Sequence, residues 1–312
     1  MTTILALAVG DPSVSRRLTD QASIPKGVRP YIIGLIRGLR QRGHSLGGDY
    51  TIDYQHHWYD DIKSGRAFVK SDVDLIYAMS TTVMRSAGDH TKQIPIVFPN
   101  CSDHEAEPYV RARRATGFSA RRSQTAHRCF EHFLATVPTL KEVHVLHKKE
   151  YDPSDLALTL VKNSRQNNHK NVLIRKIEID DHRDIDSNLS RLEPRRPGEQ
   201  GILILPVDVF FGAAPTIIEL AQKRMLPTFF PVTDWVQPQL PSALGGYGIP
   251  QEKCGWRSAE LVDLILWKKQ GLPHLPPVLD GADHDFEWVV SKAAATALKI
   301  SLADIGAHPR II

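Results

Sequence analysis

The sequence predicts an α/β protein of two Rossmann-like lobes, each built on a parallel β-sheet and joined by a hinge that the chain crosses three times. Short apolar runs alternate with longer amphipathic stretches, which is typical of β-α-β units. A polar loop interrupts this alternation near residues 95–119, and the alternation then begins again with apolar residues of its own. A chain of 312 residues is long enough to bury two cores.

The first lobe is predicted from its apolar runs and one clear helical pattern. Its strands are predicted at residues 4–9, 50–55, 73–78 and 94–98. Residues 28–42 predict a helix that presents isoleucines and leucines on one face and stops at Gly43. Ser80, Thr81 and Thr82 follow the third strand and offer hydroxyl caps to the next helix.

The second lobe repeats the scheme. Its strands are predicted at residues 142–147, 172–177, 201–205, 226–230 and 286–290. Its helices are predicted at residues 123–137, 153–167 and 214–224, with a last helix after the final strand. The stretch 180–200 is polar and predicts a surface connection.

Three segments are predicted to connect the lobes, near residues 115–119, 244–248 and 280–286. Glycines in Gly245-Gly246-Tyr247-Gly248 permit a change of backbone direction, and a helix over 254–271 would then return to the first lobe. Lobe 1 is predicted to comprise residues 1–116 and 246–282, and lobe 2 residues 117–245 and 283–312.

The charge distribution does not predict nucleic-acid binding. The net charge is only +4, and charges of both signs are spread along the chain. One basic cluster is denser and is interpreted either as a solvated rim or as an edge that steers anions; it contains Arg111, Arg113, Arg114, Arg121 and Arg122.

Neither a metal site nor a cofactor is predicted. Cys101, Cys129 and Cys254 are far apart, which supports no disulfide framework or zinc site. His56 and His57 would point to opposite sides of a strand. The nucleophile-elbow, phosphate-loop and dinucleotide motifs of common enzyme classes are absent from the sequence.

Membrane insertion is not predicted, because no apolar run approaches the roughly 20 residues that a spanning helix needs. Residues 1–9 are apolar but lack the basic segment of a signal peptide, so they are interpreted as the first strand. We expect any export signal to be absent from this sequence or to have been removed.

Several short motifs occur in a characteristic order along nearly the whole chain. They are Gly48-Asp49-Tyr50-Thr51-Ile52-Asp53-Tyr54, Val73-Asp74-Leu75-Ile76, Ile94-Pro95-Ile96-Val97-Phe98, Thr116-Gly117-Phe118-Ser119, Val137-Pro138-Thr139-Leu140-Lys141, Leu205-Pro206-Val207-Asp208 and Gly246-Tyr247-Gly248-Ile249. In this order they resemble the ABC transporter substrate-binding protein family, which has the type I periplasmic-binding-protein fold and is related to tryptophan/tyrosine-binding proteins. The sequence departs from the family pattern at Met79-Ser80-Thr81-Thr82, Asp103-His104 and His147-Lys148-Lys149-Glu150.

The resemblance implies a receptor that closes about its hinge on a small-molecule ligand and delivers it to an ABC transporter permease. It implies a periplasmic or membrane-anchored extracytoplasmic location, while the missing signal keeps a cytoplasmic location open. No covalent chemistry is needed for this role, and we expect a monomer.

Predicted ligand-binding residues follow the carboxyl ends of strands, where ligands of α/β folds bind. Ser80, Thr81 and Thr82 begin a helix whose free N–H groups suit a carboxylate, although N-capping alone also explains them. Ser154 begins another helix, but Asp155 beside it weakens an anion-binding role.

Acidic residues at the same edge are candidates for a cationic group of the ligand. Asp208 follows an apolar strand and matches a family position that can pair with a ligand ammonium group; a turn or cap is its alternative role. Asp234 is a second candidate by the same location. Asp11 and Ser13 follow the first strand, and Asp103 lies in the polar loop.

Residues at the predicted crossings complete the set of candidates. Phe118 and Ser119 lie at the first crossing and Tyr247 lies at the second. Packing inside the hinge is the alternative for the two aromatic residues.

The sequence therefore predicts the solute receptor of an ABC importer for a small carboxylate-bearing ligand, an aromatic or branched amino acid or a related acid. A cytoplasmic sensor of the same fold is one alternative, although no helix-turn-helix segment precedes the first strand. An enzyme with a site assembled in the cleft is the other.

Overall fold

The computed structural model describes residues 1–9, 13, 15–20, 30–57, 61–62, 64–65, 72–100, 108–149, 151–180, 183–192, 196, 198–276, 278–303, 305 and 309–312. The chain divides into two compact units. Unit 1 comprises Met1–Ala120 and Gln251–Gly281, and unit 2 comprises Arg121–Pro250 and Ala282–Ile312. The chain passes from one unit to the other three times, as the predicted fold class requires.

The strands lie in chain order as follows: β1 (Thr2–Val9), β2 (Arg16–Leu18), β3 (Tyr50–His57), β4 (Leu75–Ala78), β5 (Ile96–Phe98), β6 (Ala115–Ser119), β7 (Glu142–His147), β8 (Leu173–Glu178), β9 (Gln200–Ile204), β10 (Thr228–Phe230), β11 (Gly245–Gly248), β12 (Leu279–Asp280), β13 (Glu287–Val290) and β14 (Arg310–Ile311). The α-helices are α1 (Pro30–Gln41), α2 (Thr81–His90), α3 (Pro108–Arg111), α4 (Ala126–Thr136), α5 (Asp152–Asn168), α6 (Asp184–Ser190), α7 (Asp208–Gly212), α8 (Ala214–Lys223), α9 (Gln251–Leu266) and α10 (Lys292–Ala297). Short 3-10 turns cover Leu272–His274 and Asp283–Asp285.

Each unit contains one seven-stranded sheet of mostly parallel strands. In unit 1 the order is β12-β6-β5-β4-β1-β3-β2, and only β2 runs antiparallel to its neighbour. In unit 2 the order is β14-β13-β11-β10-β9-β7-β8, with an antiparallel pair between β11 and β13. This topology confirms the predicted two-lobed α/β fold.

Both sheets reverse their strand order once. In unit 1 the chain leaves β1 for β3 on one side and returns to β4 on the other side of β1. In unit 2 it leaves β7 for β8 and returns to β9 on the other side of β7. Loops after such neighbouring strands diverge, which opens a crevice at the carboxyl edge of the sheet.

The central strands are buried along their whole length, although not all of their residues are apolar. All residues of β4, β7 and β9 are buried. Strands buried on both faces are usually near-continuous apolar runs, as β4 is, but β7 also buries Glu142, His144 and His147. The edge strand β8 is exposed or half-buried throughout, and its sequence is correspondingly charged.

Helices α1 and α9 pack at unusually short range in unit 1. A Cβ added at Gly34 would lie 1.9 Å from the carbonyl oxygen of Glu252, and one added at Gly255 would lie 2.0 Å from that of Tyr31. Only glycine permits such an approach of two backbones. The Tyr77 hydroxyl also meets the Ser258 hydroxyl of α9 at 2.7 Å, which ties α9 to the buried strand β4.

The structure differs from the sequence prediction within residues 180–200. This stretch was predicted as a polar surface connection, but it contains α6, on which Ile185 and Leu189 are buried. Two apolar residues four apart are enough to dock a short helix, yet they are too few for a periodic pattern in the sequence.

Two predicted crossing segments are strands of the sheets. Gly117 of β6 pairs with Phe98 in unit 1, and Tyr247 of β11 pairs with Trp288 in unit 2. The contact-defined units therefore assign residues 117–120, 246–250 and 282 differently from the predicted lobes. The first two passages, at residues 120–121 and 250–251, lie just beyond the predicted crossing segments, and the third, at residues 281–282, lies within its predicted segment.

The remaining general features concern only the part of the chain that the structure describes. None of its helices has the length and apolar character to cross a membrane. It contains no group of three or more His, Cys, Asp or Glu side chains placed to hold a metal ion. Cys129 and Cys254 are buried free thiols, while Cys101 lies outside the described residues.

Candidate functional site

The carboxyl end of β4 leads directly into the start of α2 in unit 1. Ser80 is the N-cap, and its hydroxyl accepts a hydrogen bond from the Val83 backbone N–H at 3.2 Å. Ser80 and Thr81 are buried and Thr82 is half-buried. The helix begins at the edge where the strand order reverses, so its positive end lies at the predicted binding edge of this sheet.

The other unit 1 candidates are distributed differently. Phe118 and Ser119 are buried within β6, where they pair with Leu279 and Asp280 of β12. Ser13 is exposed. Asp11 and Asp103 lie outside the described residues.

Asn100 is a residue at this edge that the sequence analysis did not select. It is buried just after β5, and its side-chain oxygen accepts a hydrogen bond from the Ala120 N–H at 2.9 Å. The contact joins the ends of two neighbouring strands next to the first passage out of unit 1. An asparagine in a polar loop carries no sequence signal that distinguishes such a tie from a simple turn.

In unit 2, the hydroxyl of Ser154 is used by the protein itself. Ser154 is fully buried in the first turn of α5, and its hydroxyl accepts a hydrogen bond from the Lys148 N–H at 3.1 Å. Nε2 of the buried His147, the last residue of β7, lies 2.8 Å from Asp155 Oδ1. Both contacts fasten the end of β7 to α5, which is a structural role for Ser154.

Asp208 and Asp234 follow neighbouring strands of unit 2. The backbone places Asp208 as the first residue of α7, after β9, although its side chain lies outside the described atoms. Asp234 is half-buried in the loop after β10, and its carbonyl oxygen accepts a hydrogen bond from Gln237 Nε2 at 2.7 Å. The loops from these parallel strands leave the same edge of the sheet.

Tyr247 lies in β11, just before the second passage between the units, and its ring packs against residues of unit 2. Its ring lies 4.4 Å from that of His132 on α4 and is stacked on Phe286 at 5.5 Å. His132 also lies 4.3 Å from Trp288, so the imidazole sits between two aromatic rings. This environment favours a packing role for Tyr247, which was the alternative to its predicted contact with the ligand.

The same aromatic cluster predicts a pH dependence of stability. Burial lowers the pKa of His132 below the usual histidine value of 6.5, Glu131 opposes this shift, and Arg128 adds to it. The His132 imidazole therefore binds a proton more readily in the unfolded chain than in the folded protein. As the pH falls below about 6.5, protonation of the unfolded chain lowers the free energy of unfolding. The free energy of unfolding should decrease between pH 7 and 5, and His132→Gln should remove part of that decrease.

Urea unfolding at a series of pH values would measure this effect. His274→Gln, at an exposed histidine, is the matched control and should retain the slope of the parent protein. The burial of His57 lowers its pKa as well, so the informative quantity is the difference between parent and His132→Gln. A difference that does not change with pH would show that His132 is not the titrating group.

The basic cluster separates into residues of different roles. Arg111, Arg113 and Arg121 are exposed, as a solvated rim requires. Arg114 donates hydrogen bonds to the carbonyl oxygens of Gly88 and Thr91, at 2.6 and 2.8 Å, and thereby closes a turn. Arg122 alone among the five is fully buried, with 2% of its surface exposed. Neighbouring arginines in one sequence give no indication of this difference.

The two-lobed fold is that of the type I periplasmic-binding proteins. The sequence matches the model of the ABC transporter substrate binding protein family over residues 27–305, and the chain belongs to this family. The family consists of extracytoplasmic receptors that bind small ligands and work with permeases, and it is not a family of enzymes.

Three similar proteins illustrate the relationship. The tyrosine-binding protein of Clostridioides difficile (strain R20291) is 22% identical over 258 residues, which are 80% of this chain and 71% of that protein. The structure of an ABC domain in complex with L-Trp from Streptococcus pneumonia has a TM-score of 0.70 at 15% identity and covers 100% of both chains. A ligand-free, open substrate binding protein with adhesive properties from Clostridium difficile has a TM-score of 0.62 at 18% identity, over 100% of this chain and 99% of that one. At these identities the solved structures establish the fold.

Proposed function

We propose that this protein is the solute receptor of an ABC importer and binds an amino acid with an aromatic or branched side chain, or a related acid. The two units would close on the ligand by motion about the three connecting segments. The main support for this proposal is the start of α2. It places buried hydroxyl residues and a helix N-terminus at the strand-order reversal of unit 1.

The start of α2 suits a carboxylate for two reasons. The first N–H groups of a helix have no partner within the helix, and the macrodipole is positive at this end. The Ser80 hydroxyl accepts a hydrogen bond from the N–H of Val83, so a buried hydroxyl cap and the positive end of the helix lie together at this edge. The ten-residue length of α2 is sufficient to develop this field.

An amino acid also needs an acceptor for its ammonium group. Asp208 begins α7 at the corresponding reversal of the unit 2 sheet. A carboxylate at this edge would balance the ligand's positive charge when water is excluded. The tyrosine-binding relative and the L-Trp complex support an amino acid as the ligand class.

Isothermal titration calorimetry would test the ligand class. The purified protein is first stripped by partial unfolding, and the released solute is identified by mass spectrometry. We expect L-tyrosine, L-tryptophan or L-leucine to bind, and the matching acid without its amino group to bind more weakly. Failure of all amino acids to bind, or a sugar as the co-purified solute, would refute the proposed ligand class.

The location and assembly follow from the same proposal. An importer receptor acts in the periplasm or on an extracytoplasmic membrane anchor, and it delivers its ligand as a monomer to the permease. Fractionation of the native host followed by immunoblotting would place the protein, and a purely cytoplasmic signal would favour the sensor of the same fold.

A further inference from the structure

The adjacent residues Arg121 and Arg122 differ sharply in exposure. Arg121 is exposed and adopts a positive φ of 45°, whereas Arg122 is 2% exposed. Arginine is rarely buried completely, because its guanidinium loses hydration that is costly to replace. The positive φ of Arg121 turns the chain immediately before Arg122, so the local backbone directs one side chain outward and the next one inward.

Arg122 lies beyond the carboxyl ends of two strands of unit 2. Its guanidinium carbon is 5.5 Å from the centre of the Phe211 ring, and Phe211 belongs to α7, which begins shortly after β9. In the first turn of α4, the Cys129 thiol donates to the carbonyl oxygen of Phe230, the last residue of β10, at 3.4 Å. These contacts place the segment before α4 at the edge of the sheet where ligands of α/β folds bind.

Ser123 provides a second, independent observation. It is 0% exposed, and its Oγ makes no hydrogen bond to any residue in the described part of the chain. A buried hydroxyl in this condition is unfavourable unless another molecule supplies the bond. Ser123 follows Arg122 directly in the sequence, and both are buried. Guanidinium N–H and hydroxyl O–H groups are donors of the kind that a carboxylate accepts.

We propose that Arg122 and Ser123 bind a carboxylate of the solute, Arg122 through two parallel N–H···O bonds and Ser123 through its hydroxyl. This inference rests on the proposed function as a solute receptor and adds the residues of unit 2 that recognise an acid. The cation–π contact with Phe211 restricts the guanidinium, so less side-chain freedom is lost on binding. Exposed Arg121 has no part in this recognition.

The test is calorimetry of four proteins with matched acids and carboxamides. The proteins are the parent, Arg122→Gln, Ser123→Ala and the control Arg121→Gln. The probes are L-tyrosine, L-tryptophan, L-leucine, L-glutamate and 3-(4-hydroxyphenyl)propionate, each beside its carboxamide. L-glutamate is included because it carries a second acidic group.

For the acid that the parent binds best, Arg122→Gln should weaken binding roughly 30-fold or more, the scale for removing one partner of a buried charged contact. Ser123→Ala should weaken it roughly tenfold or more, as one hydrogen bond to a charged group implies. Arg121→Gln should bind as the parent does. The matching carboxamide should lose little affinity in any variant, because it lacks the charge that Arg122 recognises.

Several results would overturn the inference. Equal acid affinity of the parent and Arg122→Gln would remove Arg122 from the site, and an equal loss for acid and carboxamide would make its role structural. If circular dichroism shows that Arg122→Gln does not fold, the acid and the carboxamide are compared on Ser123→Ala instead. An unchanged preference of Ser123→Ala for the acid would then refute the proposed binding by Arg122 and Ser123. Binding of the propionate but of no amino acid would refute the proposed function. The role of Arg122 would still be decided by comparing the affinities of the parent and Arg122→Gln for the propionate. Binding of no acid at all would overturn both.

Discussion

Gly34→Ala is expected to destabilise unit 1 by roughly 2–3 kcal/mol, the upper range for overpacking a well-packed contact. The new Cβ would lie 1.9 Å from the carbonyl oxygen of Glu252 and 2.8 Å from the backbone nitrogen of Trp256. Both neighbours are main-chain atoms of α9, so no side-chain rotation relieves the overlap. The helices would have to separate, and the buried residues Leu35 and Ile36 would lose packing.

Helix propensity alone would make Gly34→Ala more stable by about 1 kcal/mol, because alanine is the better helix former. A loss of stability therefore reports the close contact between the helices. Gly212→Ala is the matched control, since a Cβ at the end of α7 meets nothing within 4 Å. Urea unfolding followed by circular dichroism should show a loss for Gly34→Ala and no loss for Gly212→Ala. Equal stability of Gly34→Ala and the parent would mean that α1 and α9 do not approach as closely as described.

The second large effect is expected at Asp208, on ligand affinity. Asp208→Asn should weaken binding of an amino acid by roughly 2–4 kcal/mol, about 30- to 900-fold in Kd, the scale for breaking a buried charged pair. The reason is that the ligand ammonium would keep its cost of desolvation while losing its counter-charge. The acid without the amino group should not suffer this loss, and it should bind the variant as well as the parent or better.

Calorimetry with L-tyrosine and 3-(4-hydroxyphenyl)propionate would measure both affinities. Asp186→Asn is a suitable control, because Asp186 is exposed on α6 and remote in sequence from the β9–α7 connection. If both probes bind Asp208→Asn as they bind the parent, Asp208 is only the first residue of a helix. The amino-acid proposal would then lose its acceptor for the ammonium group.

Several parts of the fold and the site could be predicted because their causes are local. Strand β4 and residues 201–204 of β9 are buried along their whole length, and their sequences are apolar, which made them recognisable as strands. The Ser80 cap was predictable because a hydroxyl residue before an amphipathic stretch satisfies a helix start in any context. That the predicted crossing at residues 244–248 forms strand β11 could not be predicted. The strand is largely glycine, and its partner β13 lies about forty residues later in the sequence.

The sequence by itself determined the class of this protein: two α/β units, a chain that passes between them three times, and a family recognisable from the order of weak motifs. Only the tertiary structure decided which residues of one type face the core and which face solvent. Arg121 and Arg122 are adjacent residues of the same type, yet Arg121 is exposed and Arg122 is buried. The backbone turns at Arg121, and the ring of Phe211 covers Arg122. Likewise Tyr247 became part of an aromatic stack because α4 brings His132 against β11. The physical reason is the same in both cases: burial depends on contacts between distant segments, and a local pattern records only that a residue can be buried, not what covers it.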